Sequence, residues 1–183
     1  MSVALHILPQ IICLEDFGGD YNAYIDAIYR VFRSDFILHK THFGSNELRL
    51  KFKPLFQEKA YTFYHMTHEG NVEDERIPDL RRCERMPWAR PTIERTEGLG
   101  LRFWEQERKG RHRICIWLDV DTGENYFVIL EVRKTYVLLW TAFYGTYTNT
   151  VEKKEEEYNQ WLASVGRTFA PDELVADIMA RLP

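Results

Sequence analysis

The residues of this chain that could carry chemistry are concentrated between Tyr61 and Trp88. The stretch reads YTFYHMTHEGNVEDERIPDLRRCERMPW and holds two of the six histidines together with four arginines, interleaved with acidic residues. Histidine titrates near neutral pH and can transfer protons, and the guanidinium group of arginine binds phosphate oxygens through a rigid fork of donors. The stretch therefore predicts an anion-binding site capable of acid–base chemistry, with RNA phosphate as the expected ligand.

His65 is the candidate for proton transfer in this stretch. The segment 59–66 alternates in the manner of a strand, which predicts Tyr61, Phe63 and His65 on one face. A turn is predicted at 69–71. The residues that follow include arginines, which would bind a phosphate group. His65 would transfer a proton in the reaction at that phosphate.

Two H-x-x-H pairs raise the question of a metal site. They are His39 with His42 and His65 with His68. Residues three apart on a strand point to opposite faces, and no glutamate stands at the spacing of a metalloprotease helix. The three cysteines are far apart and form no C-x-x-C motif, which favours a reducing, cytoplasmic environment. We expect neither a metal nor another cofactor.

Arginines dominate the segment after the turn. A short helix is predicted over 79–86, with Leu80 and Cys83 facing inward and the charged residues on a neighbouring stripe. Such a stripe is equally typical of a solvated helix with ion pairs worth only about 0.2–0.5 kcal/mol each. The phosphate-binding hypothesis gains support from Trp88, which could stack nucleobases, and from a second basic stretch on the first predicted hairpin. That stretch comprises Arg102, Arg108, Lys109, Arg111 and Arg113.

Net charge limits where nucleic acid could bind. The 183-residue chain carries a formal charge of −4, so it is not a polycation that would coat nucleic acid over its whole surface. A phosphate site must come from a local patch, and arginine, with 16 residues against 8 lysines, is the better phosphate ligand. No apolar run approaches the ~20 residues that span a bilayer, so no membrane partner is expected.

The chain is expected to form one α+β domain, in which N-terminal helices pack on a four-stranded antiparallel sheet and C-terminal helices follow. Asp20 can cap a helix that runs to about Asp35, with apolar residues every three or four positions. Four runs joined by short polar links predict an antiparallel meander. We distinguish an N-terminal extension (1–57), a core (58–147) and C-terminal helices (149–182). The predicted strands are Leu101–Gln106, His112–Leu118, Tyr126–Arg133 and Tyr136–Tyr144.

Several of these motifs together resemble a known nuclease group. The segments are YTFYHMTHEG, DERIPDLRRCERMPWARPTIE, ICIWLD and YFVILEVRKTYVLLWTAFY. They are similar to the phage-associated branch of the barnase–EndoU–colicin E5/D–RelE-like nuclease superfamily. That branch is marked by an aromatic-His element, an Arg-Asp-Arg-Glu-Arg-Trp helix and a final strand ending in Thr-Ala-aromatic. The resemblance covers roughly residues 35–158.

The resemblance implies a metal-independent endoribonuclease, of prophage or toxin type, in which the ribose 2′-hydroxyl attacks the adjacent phosphate. His65 would then be the general base or acid, and Arg82 and Arg85 would clamp the phosphorane, where fixed cations act most strongly. Glu84 would orient an arginine or share the proton relay, and Thr141 would contact the phosphate. From its position alone, Thr141 fits a buried threonine bonded to backbone at least as well. The expected substrate contacts are Arg76, Arg81, Trp88, Tyr144 and Lys153.

The expected partner is therefore RNA, either tRNA or another structured RNA, together with an immunity or antitoxin protein. A second hypothesis is a non-catalytic module that binds nucleic acid or protein through the same basic surface, with salt-sensitive binding and no turnover. A third is purely structural: the charged helix is a solvated surface, and the exposed aromatic residues form an oligomer interface.

Overall fold

The computed structural model describes residues 2–96 and 98–183 and contains six α-helices and eight strands within those ranges. The helices are α1 (Tyr21–Phe32), α2 (Tyr61–Thr67), α3 (Leu80–Glu84), α4 (Met86–Glu94), α5 (Thr148–Val165) and α6 (Pro171–Arg181). The strands are β1 (His42–Phe43), β2 (Asn46–Arg49), β3 (His68–Glu69), β4 (Ile77–Pro78), β5 (Arg102–Arg108), β6 (Arg111–Asp119), β7 (Asn125–Val132) and β8 (Val137–Tyr144).

The main sheet has six strands in the order β1-β2-β8-β7-β6-β5. The antiparallel meander of β5 to β8 is the one predicted, but the prediction of a four-stranded sheet was wrong, because β1 and β2 extend it. β2 runs parallel to β8, with Leu48 opposite Val137 and Arg49 opposite Leu138. A parallel pair needs a long crossover, and a partner almost ninety residues away leaves no local pattern in the sequence. β3 and β4 form a separate two-stranded ribbon.

One face of the sheet carries the main hydrophobic core. α1 begins after Asp20, whose side chain accepts a hydrogen bond from the Ala23 N–H at 3.1 Å, as its position before the helix predicts. Four apolar residues of α1 at the expected spacing are buried, namely Tyr24, Ile25, Ile28 and Phe32, and Tyr21 is partly buried. The chain continues beyond α1 as a π-helix, Arg33–Leu38, which places Phe36 in the same core. Segments before β1 and after α5 also contribute to this core.

The strand predicted over 59–66 is wrong, since this segment is the helix α2. All six residues of 62–67 are buried, so the helix presents no polar face from which its period could be read. The aromatic residues of the segment also favour strands on intrinsic propensity, and packing overrides that preference. The consequence for the site is geometric: Tyr61 and His65 are one turn apart, with ring centroids 4.5 Å apart.

A second, smaller core lies on the opposite face of the sheet, which is called the outer face below. Trp104, Trp117 and Phe127 project from the strands and pack against side chains of α5, including Tyr158 and Trp161. This helix covers only part of the outer face. The rest of the outer face is not covered by a helix.

Candidate functional site

His65 lies on α2 with its ring almost fully enclosed. Its side chain is 4% exposed, and its Nε2 is 2.7 Å from Oε1 of Glu73, which is 45% exposed. The Tyr61 ring lies beside that of His65, and the Tyr61 hydroxyl is near enough to Glu73 for the carboxylate to affect its ionisation. On its other side, the His65 ring meets Trp140 of β8, with centroids 5.4 Å apart. We call Tyr61, His65 and Glu73 the histidine cluster.

Burial and charge set the protonation of the histidine cluster. Burial, followed by the positive charge of Arg76, lowers the pKa of His65, although the hydrogen bond with Glu73 opposes this. Burial alone would raise the pKa of Glu73, but its hydrogen bond with His65 and its interaction with Tyr61 outweigh burial and lower it. Near pH 7 the pair is therefore a neutral imidazole and an ionised carboxylate, in which Nε2–H donates to Glu73. Burial and the same carboxylate raise the pKa of Tyr61 to about 12.

Thr141 and Arg82 both bind the C-terminal end of α2. The Thr141 hydroxyl donates to the carbonyl oxygen of His65 at 2.7 Å. Arg82 Nη1 approaches the carbonyls of His65 and His68 at 3.5 and 3.4 Å, and its Nε donates to Asp79 at 3.0 Å. Arg76 Nη1 reaches the His68 carbonyl as well, at 3.3 Å. The last carbonyls of a helix lack partners within the helix, so these side chains satisfy backbone groups.

Arg85 belongs to a separate group beside the β6–β7 turn. Its Nε and Nη2 donate to Oε1 of Glu124 at 3.1 and 2.5 Å, and its Nη1 donates to Glu84 at 2.7 Å. The guanidinium also lies 4.3 Å from the ring centroid of Tyr144, and that of Arg81 lies 5.3 Å from the same ring. All three nitrogens of Arg85 thus have protein partners, and a role as a phosphate clamp would require their release.

Trp88 lies inside the main core, with 0% of its surface exposed. Its indole N–H donates to the carbonyl of Pro9 at 2.8 Å, and one edge faces Tyr126. In this position it offers no surface to a nucleobase.

The predicted site residues therefore fall into three places. His65, Thr141, Arg82 and Arg76 meet at the end of α2. The second group surrounds the Arg85 guanidinium and consists of Arg81, Glu84, Arg85, Trp88 and Tyr144. Lys153 is in neither group: it lies near the start of α5 and lines a pocket over the outer face, together with Thr141.

The open part of the outer face forms two adjoining pockets that share Arg113 and Trp140. The volumes are about 350 Å³ beside α5 and about 570 Å³ between β2 and β6. We call the pair the basic groove, because its lining holds eight cationic residues and two carboxylates, Glu131 and Glu157. The cations are Arg49, Lys51, Arg108, Arg111, Arg113, Arg133, Lys153 and Lys154.

Strand register assembles this groove. Across the sheet, Gln106 faces Arg113, Arg113 faces Glu131, Glu131 faces Leu138, and Leu138 faces Arg49. Neighbouring residues in a row project to the same side of a sheet. Along β6 the outer-face residues change from Arg111 and Arg113 to Cys115 and Trp117. This change marks where α5 begins to cover the sheet.

Half of the groove cations are available for a ligand. Within residues 2–96 and 98–183, no carboxylate lies within ion-pairing distance of Arg49, Lys51, Arg111 or Lys153. Arg113 and Arg133 pair with the buried Glu131, while Arg108 and Lys154 pair with Glu157. The four paired cations are held in place by their carboxylate partners. The four cations without such a partner are the ones that would attract an anion.

The predicted second basic stretch contributes Arg108, Arg111 and Arg113 to this groove. The sequence could not indicate that Arg49 and Lys51 lie beside them, because that depends on the parallel pairing of β2 with β8. A usable signal existed in the alternation of Arg49, Lys51 and Lys53 with apolar residues, which is typical of a strand with one cationic face.

Comparison with known proteins adds no relative: no family model, curated protein or solved structure matches the chain. The nuclease resemblance stays a prediction. In the part of the chain that the structure describes, no helix is long and apolar enough to cross a membrane. Among the same residues, no group of three or more His, Cys, Asp or Glu side chains is arranged to hold a metal ion.

The first prediction concerns Arg85. Removing its charge in Arg85→Gln leaves Glu84 and Glu124, each 22% exposed, without their partner, and a hydrogen bond between charged groups contributes about 1.5–3 kcal/mol. The free energy of unfolding, measured by urea denaturation, should fall by that amount. Arg81→Gln, at an exposed position four residues earlier, should stay within about 0.5 kcal/mol of the parent. Equal stability of the two variants would contradict a structural role for Arg85.

The second prediction concerns acid stability. Burial lowers the pKa of His68 to about 4, below the value of about 6.5 in the unfolded chain. Between these values the unfolded state binds more protons, so stability is lost as the pH falls from about 6.5 towards 4, by up to about 3 kcal/mol. The lowered pKa of His65 acts in the same direction.

His68→Gln should therefore flatten the dependence of unfolding free energy on pH over this window. His6→Gln, at an exposed position, is the matched control and should keep the dependence of the parent. If His68→Gln loses as much stability on acidification as the parent does, burial of His68 is not the cause.

Proposed function

We propose that the chain binds RNA in the basic groove. The observation that carries this proposal is the local charge. Eight cations against two carboxylates give the groove lining a formal charge of +6, on a chain whose total is −4. The rest of the molecule then carries −10, the difference between these two values. Such a distribution confines a polyanion to one face and steers its approach.

The shape of the groove favours a chain of phosphates over a single small anion. It extends from β2 to β5, which is four strand intervals, or roughly 19 Å at 4.7–4.9 Å per interval. Two arginines of its lining lie over aromatic rings, Arg49 over Tyr136 at 4.8 Å and Arg113 over Trp140 at 4.7 Å. Cations interleaved with aromatic rings are typical of nucleic-acid surfaces. The choice of RNA over DNA rests on the resemblance to nucleases that act on RNA.

A second candidate function is metal-independent endoribonuclease activity, and the position of the histidine cluster favours it. Lys51 of the groove lies 4.0 Å from the ring centroid of Tyr61, and Trp140, also of the groove, contacts the ring of His65. RNA held in the groove would therefore pass beside the histidine cluster.

The chemistry of this second candidate needs a base, an acid and charge stabilisation. The ribose 2′-hydroxyl would lose its proton to the base as its oxygen bonds to phosphorus. The 5′-oxygen would leave with a proton from a water molecule acting as the acid, giving a 2′,3′-cyclic phosphate. Glu73 is the exposed carboxylate of the histidine cluster and suits the base, with His65 holding it in place. Lys51, which lies over the Tyr61 ring, is the groove cation that would offset the developing charge, since Arg82 and Arg85 already bind protein groups.

The third prediction tests binding. Arg49→Gln, Lys51→Gln and Arg111→Gln together remove three unpaired groove cations without breaking an ion pair. The affinity for a fluorescein-labelled 12-nucleotide RNA, measured by anisotropy, should fall at least about tenfold at 0.1 M salt, and the slope of log K against log salt should decrease by about 2.

A control variant changes the total charge equally at another site: Arg30→Gln, Arg33→Gln and Arg95→Gln are exposed positions outside the groove. Its affinity should remain within about threefold of the parent. Equal weakening by both triple variants would show that only net charge matters, and the groove would then not be the binding site.

The fourth prediction tests cleavage. Purified protein incubated with RNA in EDTA should produce fragments with cyclic phosphate ends, and Glu73→Gln should slow this at least about 100-fold, as expected for loss of a general base. Glu75→Gln, at an exposed position two residues away, should keep the parent rate. RNA that stays intact while it binds would reject the nuclease and leave the binding function.

A further inference from the structure

A β-bulge shapes the middle of the basic groove. Ile129 of β7 faces Thr141 of β8, but the next residue, Leu130, faces Leu139, so Trp140 has no partner across the ladder. Leu139 and Ala142 point into the main core, whereas Trp140 and Thr141 both line the outer face. A bulge of this kind redirects a side chain and is over-represented near functional sites.

Trp140 divides the groove into its two pockets and borders both of them. It is partly exposed, in contrast to Trp88 and Trp104. The guanidinium of Arg113 lies over its ring, and Glu131 holds that guanidinium through a hydrogen bond to Nε at 3.2 Å. Arg113 is thereby held against the indole ring, and we call these two side chains the Trp140–Arg113 layer.

Cations lie on both sides of this layer. The pocket beside α5 has Arg108, Lys153 and Lys154. The pocket towards β2 holds Arg49, Lys51, Arg111 and Arg133. When one base stacks on an aromatic side chain, the two phosphates that flank the base lie on either side of the stack. Cations on both sides of the layer suit this arrangement.

We infer that the groove takes single-stranded RNA, with one unpaired base stacked on the Trp140–Arg113 layer and its flanking phosphates in the two pockets. This inference rests on the proposed RNA binding and adds the substrate class. A base within a duplex is already stacked on both faces and cannot offer one to Trp140. At about 3.4 Å per stacked nucleotide, a groove of roughly 19 Å accommodates about six nucleotides.

The test compares three variants on two RNAs. The RNAs are a labelled single-stranded 12-mer and a blunt duplex of the same length, each titrated by anisotropy at one salt concentration. Trp140→Leu removes the aromatic face and Trp140→Phe keeps one. Trp161→Leu is the control, because Trp161 is a partly buried tryptophan on α5 outside the groove. Thermal unfolding of each variant confirms that it is folded.

The parent should bind the single strand at least about tenfold more tightly than the duplex. Trp140→Leu should lose about 5- to 150-fold in affinity for the single strand, the range for one base–aromatic stack, and should bind the duplex unchanged. Trp140→Phe should stay within about threefold of the parent, as should Trp161→Leu. Should Trp140→Leu fail to fold, the parent's relative affinity for the single strand and the duplex still decides the question.

The outcomes distinguish failure of the single-strand inference from failure of the proposed RNA binding. Equal or tighter binding of the duplex, or full affinity in Trp140→Leu, overturns the single-strand inference. If the triple groove variant still loses binding in that case, RNA binding in the groove stands. A parent protein that binds neither RNA overturns both.

Discussion

The free edge of β8 is the constraint on which the rest of the site depends. β2 pairs with this edge only at Val137 and Leu138, and further along the edge α2 takes over, where the Thr141 hydroxyl binds the His65 carbonyl. An uncovered strand edge invites aggregation, so both contacts have a structural reason. As a consequence, β2, with its cations, and α2, with its histidine, lie next to each other along one strand.

The basic groove can then be understood as the part of the outer face that no helix covers. Clustered cations repel one another, and their number is tolerated because Glu131 is buried among them and pairs with Arg113 and Arg133. Replacing this carboxylate would leave two partly buried guanidinium groups without their partner. The acidic residues of the chain lie mostly elsewhere, which explains how a protein of net charge −4 carries a strongly cationic face.

Local signals in the sequence predicted much of the fold. The cap at Asp20 and the spacing of Ile28 and Phe32 determine α1, and short polar links determine the meander. The errors have one physical origin, which is that contacts distant in sequence decide the outcome. Complete burial turned the aromatic segment of α2 from a predicted strand into a helix, and the parallel partner of β8 could not be found locally. For the candidate site, residue type drew attention to His65 and Arg85. Only the packing shows that the Arg85 guanidinium already binds the carboxylates of Glu84 and Glu124.

The position of His65 bears on how binding and cleavage are related. A general base must reach its proton, and the Nε2 of His65 is 2.7 Å from Glu73 on a side chain that is 4% exposed. In that geometry His65 positions Glu73 and tunes it, while the carboxylate itself meets solvent. The proposed cleavage would then depend on Glu73 and on RNA bound in the groove. The proposed binding in the groove needs none of this chemistry, so it can hold whether or not the proposed cleavage occurs.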